Sequence, residues 1–206
     1  RLTGGKYSIP GLPAVYAQED EAETLEIILK DRASEIRVIL KYGILEKADV
    51  ITRSAVIVNG GEDTVVLDRA HSLCMDISGG DWEWVHFHGR HNMERQAERV
   101  PLIHGIQEIG SRRGTSSHQQ NPAVLLCEKS CTENTGFCMG AVLMYSGGFQ
   151  AQAEKDQLNQ VRLVMGIHPE LFSWTLEAGE SFHTPEVILS CSDRGTALLS
   201  QRFHSV

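Results

Sequence analysis

The chain has 206 residues, 41% hydrophobic and 22% charged, a composition ordinary for a globular protein with a sizeable core. Its formal net charge of -8 argues against nucleic acid or an anionic membrane surface as partner, since both demand a cationic face. No apolar run approaches the roughly 20 residues of a membrane-spanning helix.

Arg1-Leu2-Thr3-Gly4-Gly5 carries neither an initiator Met nor a signal-peptide core, so the sequence reads as a piece of something longer. The five cysteines, Cys74, Cys127, Cys131, Cys138 and Cys191, form an odd and scattered set. That usage fits a reducing cytoplasm better than a disulfide scaffold.

In chain order the periodicity is that of strands. Thr24 to Lys30 and Ile36 to Tyr42 alternate in part and then become apolar. Val50 to Val58 alternates cleanly, with Ile51, Arg53, Ala55 and Ile57 on one face and Val50, Thr52, Ser54, Val56 and Val58 on the other. Asn59-Gly60-Gly61 offers positive-φ residues for a tight turn into a strand at Thr64 to Leu67. Trp82 to His88, Ala123 to Cys127, Gly140 to Tyr145, Val161 to Met165, Phe172 to Leu176 and Val187 to Ser190 predict further strands. Glycine pairs and turn residues punctuate them. Thr196 to Phe203 predicts one helix, with Leu199 and Phe203 on a common face. Many short strands with glycine turns indicate a single antiparallel β domain, a sandwich or barrel.

Several constellations bear on chemistry. His86-x-His88 would put two imidazoles on one face of a strand, and with Glu94 it approximates a cupin metal set. The spacing to Glu94 is too long, and Pro101 stands where that pattern wants glycine. A polar strand face is the reading preferred, and no metal or cofactor is expected. Cys127-x-x-x-Cys131 has no second pair at metal-finger spacing, so ordinary thiols are preferred there. Trp82 and Trp84 could stack on sugar rings or fill a core, and burial is preferred. Ser116, Ser117 and His118 are neighbours in sequence, which does not build a catalytic triad, and no Gly-x-Ser-x-Gly elbow occurs.

Ser111-Arg112-Arg113-Gly114-Thr115-Ser116-Ser117-His118-Gln119-Gln120-Asn121-Pro122 contains no large apolar side chain and cannot fill a core. The run resembles the Ser-x-Arg-Gly-x-Ser-Ser-His-x-x-Asn-Pro signature of melibiase-type α-galactosidases, glycoside hydrolase family thirty-six. Gly89 to Arg95, Arg99-Val100-Pro101-Leu102, Tyr145-Ser146-Gly147-Gly148-Phe149 and Gly166-Ile167-His168-Pro169 agree in order. Phe172 to Phe182, Thr184-Pro185-Glu186, Ser192-Asp193 and Ser200-Gln201-x-Phe203-His204 continue the match over nearly the whole chain. Two positions depart from the pattern. Gly148 replaces an expected asparagine, and His91-Asn92 stands where some members carry tryptophan.

The resemblance implies a fold of two large antiparallel sheets packed face to face, an N-terminal β-supersandwich with a short C-terminal helix. It implies a parent enzyme with a catalytic barrel after Val206 and a small β domain beyond that. It also implies that the family's nucleophile and acid/base aspartates lie in the barrel, so no catalytic residue is assigned here. A family aspartate that contacts galactose would lie before Arg1. The expected role is a non-catalytic domain that packs on its own barrel, supports a homo-oligomer, dimer or tetramer, and lends rim residues to an α-galactoside pocket.

Tyr145 and Phe149 are the rim candidates, because they bracket a glycine turn; a hairpin core is the alternative for both. Arg112, Arg113, His118 and Asn121 are expected to brace the polar run or an interface. A free-standing carbohydrate-binding module and a cupin-like metalloenzyme are the competing classes.

Overall fold

The computed structural model describes residues 1–170 and 172–206. Its strands are, in order, β1 (Leu2–Gly4), β2 (Glu23–Lys30), β3 (Ile36–Leu45), β4 (Val50–Asn59), β5 (Val65–Leu67) and β6 (His71–Ile77). There follow β7 (Trp82–Arg90), β8 (Met93–Pro101), β9 (Gly105–Gly110), β10 (Gln120–Glu128) and β11 (Cys138–Met144). The chain closes with β12 (Phe149–Lys155), β13 (Val161–Ile167), β14 (Trp174–Leu176), β15 (Ser181–His183), β16 (Glu186–Ser192) and helix α1 (Gly195–His204). The all-β reading and the single C-terminal helix agree with the sequence.

A ten-stranded antiparallel sheet runs β1-β2-β3-β4-β16-β11-β10-β7-β8, with β15 also pairing to β4. A second sheet, β6-β13-β12-β9, lies across part of it, and β14 and β5 form a separate ribbon. The partner sheet is thus smaller than the sequence reading anticipated. The space between the sheets is filled by alternate residues of each strand. Trp84, Val124, Leu126, Ala141 and Val187 of the large sheet meet Leu73, Phe149, Ala151, Leu163 and Met165 of the small one. Trp82 joins them, edge-on to Phe137 at a centroid distance of 6.1 Å. Both tryptophans are therefore core residues. Each of these rings removes a large apolar area from water.

The outer face of the large sheet has two covers. Helix α1 presses Leu199 onto Val85, Cys127, Cys131 and Cys138. The irregular segment after β1 lays Tyr7 and Val15 across β4 and β16. By contrast, the inner face of β1–β4 is covered by no described element along much of its length. Leu2, Ile27, Leu29 and Ile51 are 59%, 41%, 51% and 44% exposed. The registers Leu2↔Leu25, Ile27↔Leu40 and Ile44↔Ile51 put all of them on one side.

One expectation needs correction. Asn59-Gly60-Gly61 does not turn β4 back into a hairpin: β5 pairs with β14, and neither glycine has positive φ. The glycine at position 60 is there for close approach, since a Cβ would stand 2.6 Å from the Glu35 carbonyl oxygen. Met93–Pro101, for which the sequence shows no alternation, forms a nine-residue edge strand, exposed along almost all its length. Within it Arg95 adopts φ 56°, a break in an otherwise extended run.

Candidate functional site

The polar run leaves β9 at Ser111 and folds onto the loop between β11 and β12. Ser111 N–H donates to Phe149 O at 2.8 Å and Phe149 N–H donates back to Ser111 O at 3.1 Å, adding a rung to the β9–β12 ladder. Ser116 N–H donates to Ser146 O at 2.8 Å, and its hydroxyl donates to Tyr145 O at 3.3 Å. Within the run, the Ser111 hydroxyl donates to Thr115 O at 2.6 Å, and Ser117 Oγ accepts from Gln119 N–H at 3.2 Å. Serines, whose short side chains reach nearby backbone, therefore hold the loop.

Two sequence motifs thus become one unit, and glycine makes this possible. A Cβ on Gly148 would lie 2.9 Å from Ser111 O, and one on Gly147 would lie 2.4 Å from the Tyr145 ring. The replacement of asparagine by Gly148 falls at this contact.

The unit borders an open cavity of about 570 Å³, lined by Glu108, Ser111, Arg112, Arg113, Gln120 and His168 among others. His168 is its organising side chain, 7% exposed. Its Nδ1 accepts the Glu170 N–H at 3.1 Å, and its Nε2 lies 3.4 Å from Arg112 Nε and 3.9 Å from Glu108 Oε1. Glu108 is fixed in turn by the Gln150 amide at 2.7 Å. Arg112 Nε lies 2.8 Å from Glu170 Oε2 at the rim, with both side chains well exposed. The cavity offers carboxylate, guanidinium, amide and imidazole groups within one rim, which suits a hydroxyl-rich or charged surface.

Each predicted residue now has a place. Arg112, Arg113 and His118 are exposed, and Arg112 engages Glu170 rather than the loop carbonyls it was expected to tie together. Asn121 is half-buried, and its Oδ1 is buried with no partner among the described residues. Tyr145 is half-buried against the core. Phe149 is a correction: it is 0% exposed between the sheets, because as the first residue of β12 its side chain faces the large sheet. Its ring cannot be presented to a sugar.

The histidine pair does not assemble the cupin set. His86 Nε2 and His88 Nε2 lie 3.5 and 3.6 Å from the same oxygen of Glu98. Glu94 instead accepts the Asn92 N–H at 2.9 Å in its own turn. Desolvation holds the His86 imidazole below its ordinary value, with His88 adding to the effect and Glu98 opposing it.

Sequence reasoning missed Glu108, Gln150, His168 and the buried pair Lys6 and Glu186. The pattern Gly166-Ile167-His168-Pro169 marked His168 only as part of a resemblance. Glu108 and Gln150 carried no local signal, because cross-strand pairing alone brings them together at Gln152↔Glu108 and Gln150↔Gly110.

Comparison with known proteins settles the family. A profile of the glycosyl hydrolase family 36 N-terminal domain matches residues 1–177. The chain belongs to this family. The bifunctional α-galactosidase/sucrose kinase AgaSK of Mediterraneibacter gnavus is 52% identical over 204 residues, which is 99% of this chain and 22% of that protein. α-Galactosidase AgaA of Geobacillus stearothermophilus is 46% identical over 207 residues, covering 100% of this chain and 28% of AgaA. A crystal structure of AgaA in complex with stachyose superposes with a TM-score of 0.97 at 46% identity, over 100% of this chain and 29% of that one. The chain therefore spans about a quarter of the length of these family 36 relatives.

Proposed function

We propose that this chain is the non-catalytic N-terminal domain of a retaining α-galactosidase that cleaves terminal α-galactosides of the melibiose and raffinose type. The observation that supports this is the end-to-end match at 46% identity and TM-score 0.97 to an α-galactosidase crystallised with stachyose, of which this chain spans 29%. In this reading the reacting carboxylates belong to a barrel that follows in the parent protein. One aspartate attacks the anomeric carbon and forms a glycosyl-enzyme. The second protonates the departing oxygen and then activates water.

The domain contributes surfaces. Its open apolar face on β1–β4 is the natural seat for other parts of the parent polypeptide, since exposed aliphatic groups gain about 25 cal/mol per Å² when covered. The rim around Arg112, His168 and the half-buried Tyr145 is the polar surface available to a sugar or a second subunit of the oligomer. Cytoplasmic location belongs to the same proposal. Among the described residues no helix is long and apolar enough to cross a membrane.

The test compares the parent enzyme with residues 1–206. The parent is expected to release α-galactose first from melibiose, followed by NMR of the anomeric proton, and the 206-residue chain none. Hydrolysis by the shorter chain, or a β-anomer as first product, refutes the proposal.

A further inference from the structure

Three of the five cysteines meet in one place. Cys127 of β10, Cys138 of β11 and Cys131 of the connecting loop pack with Val85 and Leu199 beneath α1. They are 0%, 0% and 3% exposed, and all are free thiols. Cys127 and Cys138 are direct cross-strand partners. The next pair outward, Glu128 and Phe137, is the hydrogen-bonded kind, since Glu128 N–H donates to Phe137 O at 3.0 Å. The cysteine pair is therefore the non-hydrogen-bonded kind. Such pairs hold their Cα atoms about 4.5 Å apart, inside the span of about 4.4–6.8 Å that a disulfide bridges.

We propose that Cys127 and Cys138 form a reversible dithiol–disulfide site whose oxidant is a small-molecule disulfide. The Cys127 thiolate attacks one sulfur of the oxidant R–S–S–R, breaking its S–S bond and expelling RS⁻, which takes up the Cys127 proton. The Cys138 thiolate then attacks the Cys127 sulfur of the mixed disulfide, expelling a second RS⁻ that takes up the Cys138 proton. Two protein thiols are oxidised to one disulfide, and R–S–S–R is reduced to two RSH.

The surroundings favour this order. Arg99 donates to the carbonyls of Cys131 at 2.8 Å and Glu128 at 3.0 Å, bringing a cation beside the cluster. Hydrogen bonding from Cys138, with Arg99 adding to it, holds the Cys127 thiol below its ordinary value. Hydrogen bonding to Cys127 and burial push Cys138 up.

Access is gated by α1. The first N–H groups of the helix, at Gly195, Thr196 and Ala197, donate to the carbonyls of Gly136, Thr132 and Glu133 at 2.9, 3.1 and 2.9 Å. Release of this latch opens the cluster from the loop end. The finished bond staples β10 to β11 under the helix.

The experiment incubates the 206-residue chain with oxidised glutathione, blocks the remaining thiols and maps unreduced peptides by mass spectrometry. The expected product is a Cys127–Cys138 linked peptide, reversed by dithiothreitol, retained in Cys131→Ser and lost in Cys127→Ser. The exposed Cys74 and Cys191 should carry glutathione only, which shows that the oxidant was active. Absence of the Cys127–Cys138 link while those two are modified overturns the proposal. So does a link from Cys131 to either partner in its place. Should Cys127→Ser fail to fold, the map of the unmutated chain alone decides.

Discussion

Lys6 and Glu186, separated by 180 positions in sequence, form an ion pair with side chains 3% and 0% exposed. Glu186 Oε2 also accepts the Val15 N–H at 2.6 Å, and the Lys6 ammonium sits 3.7 Å above the Tyr7 ring. One carboxylate on β16 thus anchors the irregular segment that covers β4. Burial lowers the Lys6 pKa, and the hydrogen bond and charge of Glu186 pull it back.

Breaking this pair from one side should be expensive. Lys6→Met leaves Glu186 buried without its counter-charge, at a cost of about 3–5 kcal/mol. Adding Glu186→Gln should recover much of the loss, since the amide oxygen still accepts from Val15 N–H. Urea unfolding of the two variants and the parent measures this; equal stability of all three contradicts it.

Phe149 and Tyr145 should separate cleanly when each is cut back. Phe149→Ala empties a fully buried site and should cost about 3–5 kcal/mol of stability. Phe149→Leu should cost less and leave the KM of the parent enzyme unchanged. Tyr145→Ala should raise that KM if the half-buried ring reaches the sugar rim, with a smaller loss of stability. A KM unchanged in Tyr145→Ala removes the residue from the proposed rim.

Stability should fall on mild acidification. His71, His86 and His183 all have lowered pKa values, in each case chiefly through desolvation. Between the folded values and the ordinary 6.5 the unfolded chain binds more protons, so acid favours unfolding there. Their stabilisation is fully present above about pH 7 and is lost as pH falls through the folded values. Denaturation midpoints near neutral and near about pH 5 test this; a midpoint that rises in acid rules it out.

The open face of β1–β4 should make the 206-residue chain sticky. Ile27→Lys with Ile51→Lys should reduce binding of an apolar dye and self-association without lowering the unfolding free energy by more than about 1 kcal/mol, as both side chains are over a third exposed. In the parent enzyme the same pair should impair assembly. Unchanged assembly there argues that this face is not a seat.

Legibility in the sequence followed the environment of each strand. Val50 to Val58 was readable because its two faces meet different surroundings, buried at Thr52 and Ser54 and more open at Ile51 and Arg53. Met93–Pro101 was not, because an edge strand exposed on both sides imposes no alternation. Phe149–Lys155 alternates, but with Ala151 and Ala153 as its core residues the apolar signal is faint. The polar run was visible as an oddity, and its resemblance to family 36 named the family. Glu108 beside it carried no local signal, since only sheet register brings it there, and His168 was marked only through the resemblance. Nothing in the sequence pairs Lys6 with Glu186, since lysines and glutamates are mostly exposed and these two are brought together only by the fold.

The large sheet ends on one side in β8, whose outward N–H and C=O groups could template another chain. Arg95 interrupts that rim with a left-handed backbone, and Glu94, Arg95, Glu98 and Arg99 crowd it with charge. At the opposite end β1 is only three residues long. A foreign strand therefore finds no straight, neutral rail along β8, whereas β1 pairs only with Glu23–Leu25 and leaves the far half of β2, with exposed Ile27, Ile28 and Leu29, as the margin through which this sheet can be extended.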